Sequence, residues 1–198
     1  MSNSDDLFEM RRLEALSNTI FGVAMVLLAY RFPTTQFPTG APVWSTIWAA
    51  YHPQISALVL SFVVAGMFWL SHQRRLAYAP LASRWVIYGN LLFLLSIVAL
   101  PITTGLYATY TYDARDVVVL YSGHLAVISC LNAILWLLAC LPRGQPDRVV
   151  GSIFATIIFI AATSVAMVAS QPYVATFILW GALAAPVIEP IVATRGRD

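Results

Sequence analysis

Residues 12–28 read RLEALSNTIFGVAMVLL, a segment that begins with charged and polar side chains and ends in an apolar run. The first half would suit a soluble helix, whereas the second half is apolar enough for lipid. Polar side chains inside a bilayer are costly, so a membrane helix that starts this way needs a reason for them. The rest of the sequence indicates what these polar residues are for.

The composition of the whole chain is that of a membrane protein. Of its 198 residues, 60% are hydrophobic and only 10% are charged, whereas an ordinary soluble domain has about 25% charged residues. The net charge of +2 is too small to indicate a nucleic-acid partner. The two cysteines lie ten residues apart in one apolar segment, which indicates neither a disulfide nor a metal site.

Six apolar segments are long enough to cross a bilayer as helices, because a span needs about 20 residues. The predicted fold is an all-α integral membrane protein, in which residues 1–198 form one six-helix transmembrane domain. The second segment is short, and the aromatic stretch VWSTIWAAYHP before it, at residues 43–53, is expected to lie in the membrane interface. The predicted spans cover about residues 13–31, 54–71, 85–108, 117–141, 149–170 and 172–192.

The distribution of arginine predicts the orientation of these spans. Of the 11 basic residues, all but Arg31 and Arg115 fall on one side of the predicted membrane, and Arg75 is counted on that richer side. Loops rich in arginine stay in the cytoplasm. We therefore expect both termini to be cytoplasmic, in a multi-pass protein of the cell inner (plasma) membrane that contacts membrane lipid.

Polar side chains within the predicted spans are candidates for function, because such groups usually face the protein interior. Their spacing matches no catalytic triad, no metal-binding motif and no phosphate-binding loop. The TVGYG selectivity loop of ordinary potassium channels is also missing from the sequence. The candidates are Glu14, Ser17, Asn18, Thr19, His72, Asn90, His124, Asn132 and Glu189.

The apolar half of the first span has a regular stripe on one face. Val23, Val26, Leu27 and Tyr30 follow the three-and-four spacing of a helix. Asn18 points about 140° away from Val23, at 3.6 residues per turn. Hydrogen bonds can hold the polar face against neighbouring helices, while the stripe faces lipid, a partner subunit or a pore axis. From periodicity alone, lipid is the favoured interpretation.

The stretch at 12–28 resembles the signature of the endolysosomal potassium channel family (transmembrane protein 175) and its bacterial homologues. That signature has an Arg, three residues, Phe-Ser-Asp and then a helix of small and aliphatic residues. Arg12, Ser17 and the position of Asn18 match it. Two further matches lie downstream, which are Trp69 with His72, and Asn90 followed by Pro101 and Thr104.

The resemblance implies a channel rather than an enzyme, with four six-helix subunits around a pore lined by the first helix. The narrowest part is then a ring of aliphatic side chains, which falls on Val23, with Val26, Leu27 and Tyr30 continuing the constriction. Such a ring can close as a hydrophobic gate. The permeant ions are monovalent cations, potassium among them, and no cofactor is implied.

The resemblance also implies a role for the polar start of the first span. Arg12, Ser17 and Asn18 would join His72 and Asn90 in a hydrogen-bond network that anchors the pore helix. The polar half then anchors the helix, and the apolar half forms the gate.

Three positions depart from the family pattern, and two of them bear on function. Leu16 replaces the family's Phe, and Asn18 replaces its Asp, so that the anchor has lost a charge. Val26 stands where the family often has Thr, so a hydroxyl layer is missing there. We therefore predict modest selectivity for potassium over sodium.

Two other classes of function are left as alternatives. A secondary transporter of a small cation or solute would have a site at the membrane midplane, commonly with broken helices and inverted repeats. Pro101 and Pro186 can break helices, but no internal repeat is evident in the sequence. An intramembrane enzyme would need a base, for which His124 supported by Asn132 is the best candidate.

Overall fold

The computed structural model of the chain is all-helical in the residues that it describes. The described backbone covers residues 2–30, 43–78, 84–110, 114–140, 149–169 and 174–182, and the described side chains begin at residue 12 and end at residue 180. The helices are α1 (Ser2–Tyr30), α2 (Trp44–Tyr78), α3 (Arg84–Tyr110), α4 (Arg115–Cys140), α5 (Val150–Val168) and α6 (Val174–Ala182). The predicted all-α class agrees with this arrangement.

Five of the described helices are long and apolar enough to cross a membrane, judged by length and composition. They are α1 to α5, and a helix suits this role because it satisfies its backbone hydrogen bonds internally. The sixth predicted span, 172–192, is represented by the nine residues of α6. Its later part lies outside the described residues, as do the connections predicted around it, so the count of six spans stays a prediction.

Helix α2 is longer than the sequence predicted. It has 35 residues, or about 52 Å at 1.5 Å per residue, whereas the hydrocarbon core of a bilayer is about 30 Å thick. The helix continues through Pro53 and includes the aromatic stretch that was expected to lie in the interface. The rings of Trp44, Trp48 and His52 stack on successive turns, with centroids 6.4 Å and 6.1 Å apart.

Helix α4 is the central helix of the described structure. In the most apolar 18 residues of each helix, the buried share is 56% for α4, against 22% for α1 and for α5. Tyr121, Leu125, Ile128 and Leu135 are almost inaccessible, and α4 packs against α2, α3, α5 and α6. A helix that is covered on most sides serves as the support on which the others pack.

Helix α1 lies at the periphery and buries one narrow stripe. Ser17, Phe21, Ala24 and Leu28 are buried, which is the spacing of one face of a helix. This face packs against α2 and α3. The ring of Phe21 lies 6.0 Å from the ring of Phe93, measured between centroids. Most of the remaining circumference of α1 is exposed in the single chain.

Candidate pore-lining site

The predicted stripe on α1 is exposed in the single chain. The exposed fractions are 54% for Val23, 71% for Val26, 39% for Leu27 and 83% for Tyr30. Val23, Val26 and Tyr30 lie opposite the buried face, and Leu27 lies at the flank, where it is the least exposed of the four. The structure therefore brings the four side chains onto one side of α1 and leaves that side available to lipid or to another chain.

Exposed apolar side chains also occur on the other spanning helices, among them Val59 on α2, Val98 on α3 and Val127 on α4. This is expected for helices that meet lipid, so exposure alone does not distinguish α1. The polar half of the same helix and the contacts that it makes set α1 apart.

Asn18 fastens the polar half of α1 to α2. Its side-chain oxygen Oδ1 accepts a hydrogen bond from Trp69 Nε1 at 2.9 Å and another from Gln73 Nε2. Trp69 and Gln73 are four residues apart, so one face of α2 supplies both donors. We call these three residues the Asn18 clamp.

A second and larger cluster lies buried between α2, α3 and α4, with Arg75 at its centre. Arg75 is only 2% exposed. Its guanidinium donates to His72 Nδ1 at 2.7 Å, to Asn90 Oδ1 at 3.1 Å and to Asn132 Oδ1 at 3.1 Å. Because a guanidinium can only donate, Nδ1 is the acceptor, and the proton of the neutral His72 ring is assigned to Nε2.

Ser71 and Trp136 complete this group, which we call the Arg75 cluster. Asn132 Nδ2 donates to Ser71 Oγ at 3.0 Å, and Trp136 Nε1 donates to the same oxygen at 2.9 Å. The guanidinium carbon of Arg75 also lies 5.7 Å from the centre of the Phe93 ring. Arg75 sits in the last turn of α2, where the helix dipole favours a cation. The hydrogen bonds of the cluster therefore join α2, α3 and α4.

The structure divides the predicted anchoring residues between these two groups. His72 and Asn90 meet through Arg75, whereas Asn18 belongs to the clamp that joins α1 to α2. The buried face of α1 links the two groups, because the Phe21 ring lies 5.9 Å from the His72 ring, measured between centroids.

Ser17 and Arg12 take other places. Ser17 is buried, and its hydroxyl donates to the carbonyl oxygen of Leu13 in the same helix at 2.7 Å. Arg12 is exposed, and the hydrogen bonds that define the Asn18 clamp and the Arg75 cluster join other residues. The hydroxyl of Ser17 is thus used within α1, and the part that the resemblance implied for Arg12 in the anchoring network stays a prediction.

Arg75 is the main residue that sequence reasoning missed as part of a site. It was counted only as a cytoplasmic charge, because it stands in a basic pair at the end of an apolar segment. A signal for its burial was nevertheless present. Ala65, Phe68, His72 and Arg75 follow the three-and-four spacing of one helix face, and the structure buries all four.

A cluster of hydroxyl groups joins the same helices at another level. Ser61 Oγ lies 2.7 Å from the hydroxyl of Tyr121 and accepts from Thr104 Oγ1 at 2.9 Å. The rings of Tyr107 and Tyr121 stack with centroids 4.3 Å apart. Thr104, one of the positions of the family resemblance, therefore helps to join α2, α3 and α4.

The structure does not bring together the pair that an intramembrane enzyme would need. His124 Nδ1 lies 2.9 Å from Thr103 Oγ1, while Asn132 belongs to the Arg75 cluster. The two residues are about 12 Å apart along α4, at 1.5 Å per residue. Among the described side chains, no group of three His, Cys, Asp or Glu could hold a metal ion. Glu189 and Pro186 lie outside the described residues.

Comparisons with known proteins bear on the family resemblance. Residues 12–101 match the family described as the endosomal/lysosomal potassium channel TMEM175. A potassium channel of Streptomyces collinus is 32% identical over 109 residues, which are 54% of this chain and 52% of that protein. A potassium channel of Chamaesiphon minutus is 25% identical over 143 residues, or 69% of this chain and 68% of that protein. The match to the Streptomyces protein thus spans about half of that protein's length.

A solved structure also resembles the fold. It is the crystal structure of a lysosomal potassium-selective channel TMEM175 homolog from Chamaesiphon minutus, with a TM-score of 0.79 and 21% sequence identity. The match covers 90% of this chain and 97% of that one. At this identity the likeness shows the fold alone, while the sequence matches confirm the resemblance seen at residues 12–28.

Proposed function

We propose that this chain, which matches the TMEM175 potassium channel family over residues 12–101, forms a potassium-permeable cation channel of the bacterial inner membrane. Conduction is passive, and α1 lines the pore. The family match at residues 12–101 includes the described spanning part of α1, together with α2 and most of α3. That region contains the exposed stripe and the Asn18 clamp.

The observation that carries this proposal is that α1 combines an exposed apolar stripe with a polar half that hydrogen-bonds to α2 through the Asn18 clamp. The buried face of α1 packs against α2 and α3, and the opposite side exposes four large apolar side chains. Each subunit has one copy of α1, so a pore lined by this helix needs several copies arranged around an axis. A homotetramer, as the family resemblance implies, would place four stripes around one pore.

The constriction would be formed by Val23, Val26, Leu27 and Tyr30. Residues 23–30 rise by about 10 Å along a helix, which gives an apolar passage of that length. Such a passage can close by losing its water, and its width decides which partly dehydrated cations pass. Because Val26 carries no hydroxyl, we expect modest selectivity for potassium over sodium.

Single-channel recording of the purified protein in planar bilayers tests this proposal, with potassium on one side and sodium on the other. Val23→Ala widens the ring, so we expect a larger unitary conductance. Val23→Phe fills the ring, so we expect at least a tenfold loss of current. The matched control is Val127→Ala on α4, because Val127 is 52% exposed and Val23 is 54% exposed. The control should conduct like the unsubstituted channel.

Each outcome has a distinct meaning. Unitary currents that do not respond to either Val23 substitution would place the pore elsewhere. A reversal potential close to that of a pure potassium conductance would contradict modest selectivity. Intact oligomers without unitary currents, but with saturable and proton-coupled flux in liposomes, would favour the secondary transporter.

A further inference from the structure

The stripe on α1 continues beyond Val23 toward the N-terminus. Thr19 stands four residues before Val23, seven before Val26 and eleven before Tyr30, so the same side of the helix carries all four. Its side chain is exposed in the single chain. The Thr19 level lies about 6 Å from the Val23 level, at 1.5 Å per residue. A polar group therefore borders the apolar passage on the predicted cytoplasmic side.

The hydroxyl of Thr19 is held in a defined direction. Oγ1 donates to the carbonyl oxygen of Ala15 at 2.9 Å. A hydroxyl has one proton and two acceptor lone pairs, so this bond uses the proton and leaves the oxygen free to accept. The stripe thus offers an oxygen ligand at this level rather than a competing N–H or O–H donor.

We propose that Thr19 forms a layer of oxygen ligands for a monovalent cation at the cytoplasmic edge of the apolar constriction. This inference rests on the proposed function, and it names Thr19 as a residue that sets permeation and selectivity. In a tetramer, four oxygens would replace part of the hydration shell just before the ion enters the passage. Potassium gives up its water more easily than sodium, so such a layer favours potassium.

Arg12 lies on the same side of α1, but seven residues further toward the N-terminus. That separation is about 10 Å along the helix axis, which is slightly more than one Debye length at physiological ionic strength. Its charge is therefore largely screened at the Thr19 level when the cytoplasmic entrance contains water and salt.

A second threonine of the chain offers a close control. Thr109 on α3 is also exposed, and its Oγ1 donates to the carbonyl oxygen of Gly105 at 2.9 Å. The local hydrogen bond therefore matches that of Thr19, and only Thr19 lies on the α1 stripe. Valine replaces threonine with little change in shape, so Thr19→Val and Thr109→Val remove the oxygen at either place.

Bilayer recordings with potassium and sodium on opposite sides test the proposal. For Thr19→Val we expect about a two- to fivefold lower potassium conductance and a permeability ratio closer to one. Thr19→Ser keeps the oxygen and should restore both quantities, whereas Thr109→Val should change neither. If Thr19→Val conducts like the unsubstituted channel while Val23→Ala alters conductance, the oxygen layer is wrong and the proposed function stands. If unitary currents persist and neither position alters them, the pore lies elsewhere, and both the oxygen layer and the lining of the pore by α1 are wrong.

A cysteine at the same position gives an independent readout. Cys130 and Cys140 are first replaced by alanine, and Thr19→Cys is then made in that background. A cationic methanethiosulfonate reagent added from the cytoplasmic side should abolish current through the Thr19→Cys channel within seconds to minutes. Potassium at high concentration should slow this reaction. Conducting Thr19→Cys channels that the reagent leaves unchanged would show that this position faces lipid, and the proposal would be overturned.

Discussion

Helices α1 and α4 are both apolar enough to cross a bilayer, yet they bury very different parts of their surface. More than half of the most apolar 18 residues of α4 are buried, against about a fifth of those of α1. The interior of the chain covers Tyr121, Leu125 and Asn132 of α4. On α1 only one narrow face is covered in this way. Contacts within the chain therefore cover most of the surface of α4. Most of the surface of α1 instead contacts whatever surrounds the chain, which is lipid or another subunit.

This difference has a physical basis in the membrane. Lipid tails are as apolar as leucine, so apolar side chains gain little by leaving lipid for protein. Close packing and hydrogen bonds must then hold the helices together. Helix α4 has both, through the Arg75 cluster and the Ser61–Tyr121 pair. Helix α1 has the Asn18 clamp and the contact of Phe21 with Phe93.

The largest effect is expected where α4 is joined to α2 and α3. Arg75→Met keeps a long side chain but leaves the buried acceptors on His72 and Asn90 without a donor. The third acceptor, Asn132 Oδ1, keeps the hydroxyl of Ser71 as a donor at 3.3 Å. Each buried acceptor left unpaired costs about 1–3 kcal/mol in soluble proteins, and less in bilayers. We expect the free energy of unfolding, measured by SDS titration in mixed micelles, to fall by about 3 kcal/mol.

The neighbouring arginine provides the control for this experiment. Arg74 is exposed, so Arg74→Met should change the free energy of unfolding by less than about 0.5 kcal/mol. Equal losses for the two substitutions would show that the charge at this end of α2 matters, and not the buried hydrogen bonds.

A smaller effect is expected from a matched pair of leucines. Leu125 on α4 is fully buried, and Leu27 on α1 lies at the flank of the stripe. Leu125→Ala leaves a cavity, and with little transfer energy at stake in lipid we expect a loss of about 2 kcal/mol. Leu27→Ala should cost less than about 0.5 kcal/mol. Both are measured on the dissociated subunit, so that contacts between subunits do not contribute. Similar losses of stability at the two positions would show that the buried leucine of α4 contributes no more to stability than the flanking leucine of α1.

The sequence predicted five long apolar helices that the structure contains, because long apolar runs have few other uses. It placed the start of the second helix about ten residues too late, since Pro53 and the polar His52 resemble a helix boundary. In the structure the helix continues through the proline. A single proline removes one backbone hydrogen bond, and the rest of a 35-residue helix tolerates that loss.

The site was predictable only in part, for a similar reason. The spacing of Val23, Val26 and Tyr30 is local to one helix, so periodicity alone places them on one side. The Arg75 cluster depends on Asn90 and Asn132, which other helices bring to Arg75. Whether a charge at a helix end meets water or a buried partner depends on those neighbours, and one segment of sequence does not contain that information.

The smallest effect is expected at the Asn18 clamp, where its sign sharpens the comparison between α1 and α4. Asn18→Asp keeps the shape and offers a charged oxygen to Trp69 and Gln73, and charge-assisted hydrogen bonds are roughly twice as strong as neutral ones. If water reaches this exposed side chain, the free energy of unfolding should rise by about 0.5–1 kcal/mol. Asn18→Leu, which removes the acceptor, should lower it by a similar amount. A loss of stability for both variants would mean that the charge is poorly hydrated and that lipid surrounds the polar half of α1. A gain of stability for Asn18→Asp with a loss for Asn18→Leu would place the polar half of α1 in water, as expected at the entrance of a pore. In that case only the apolar half of α1 would be shielded from water, as α4 is.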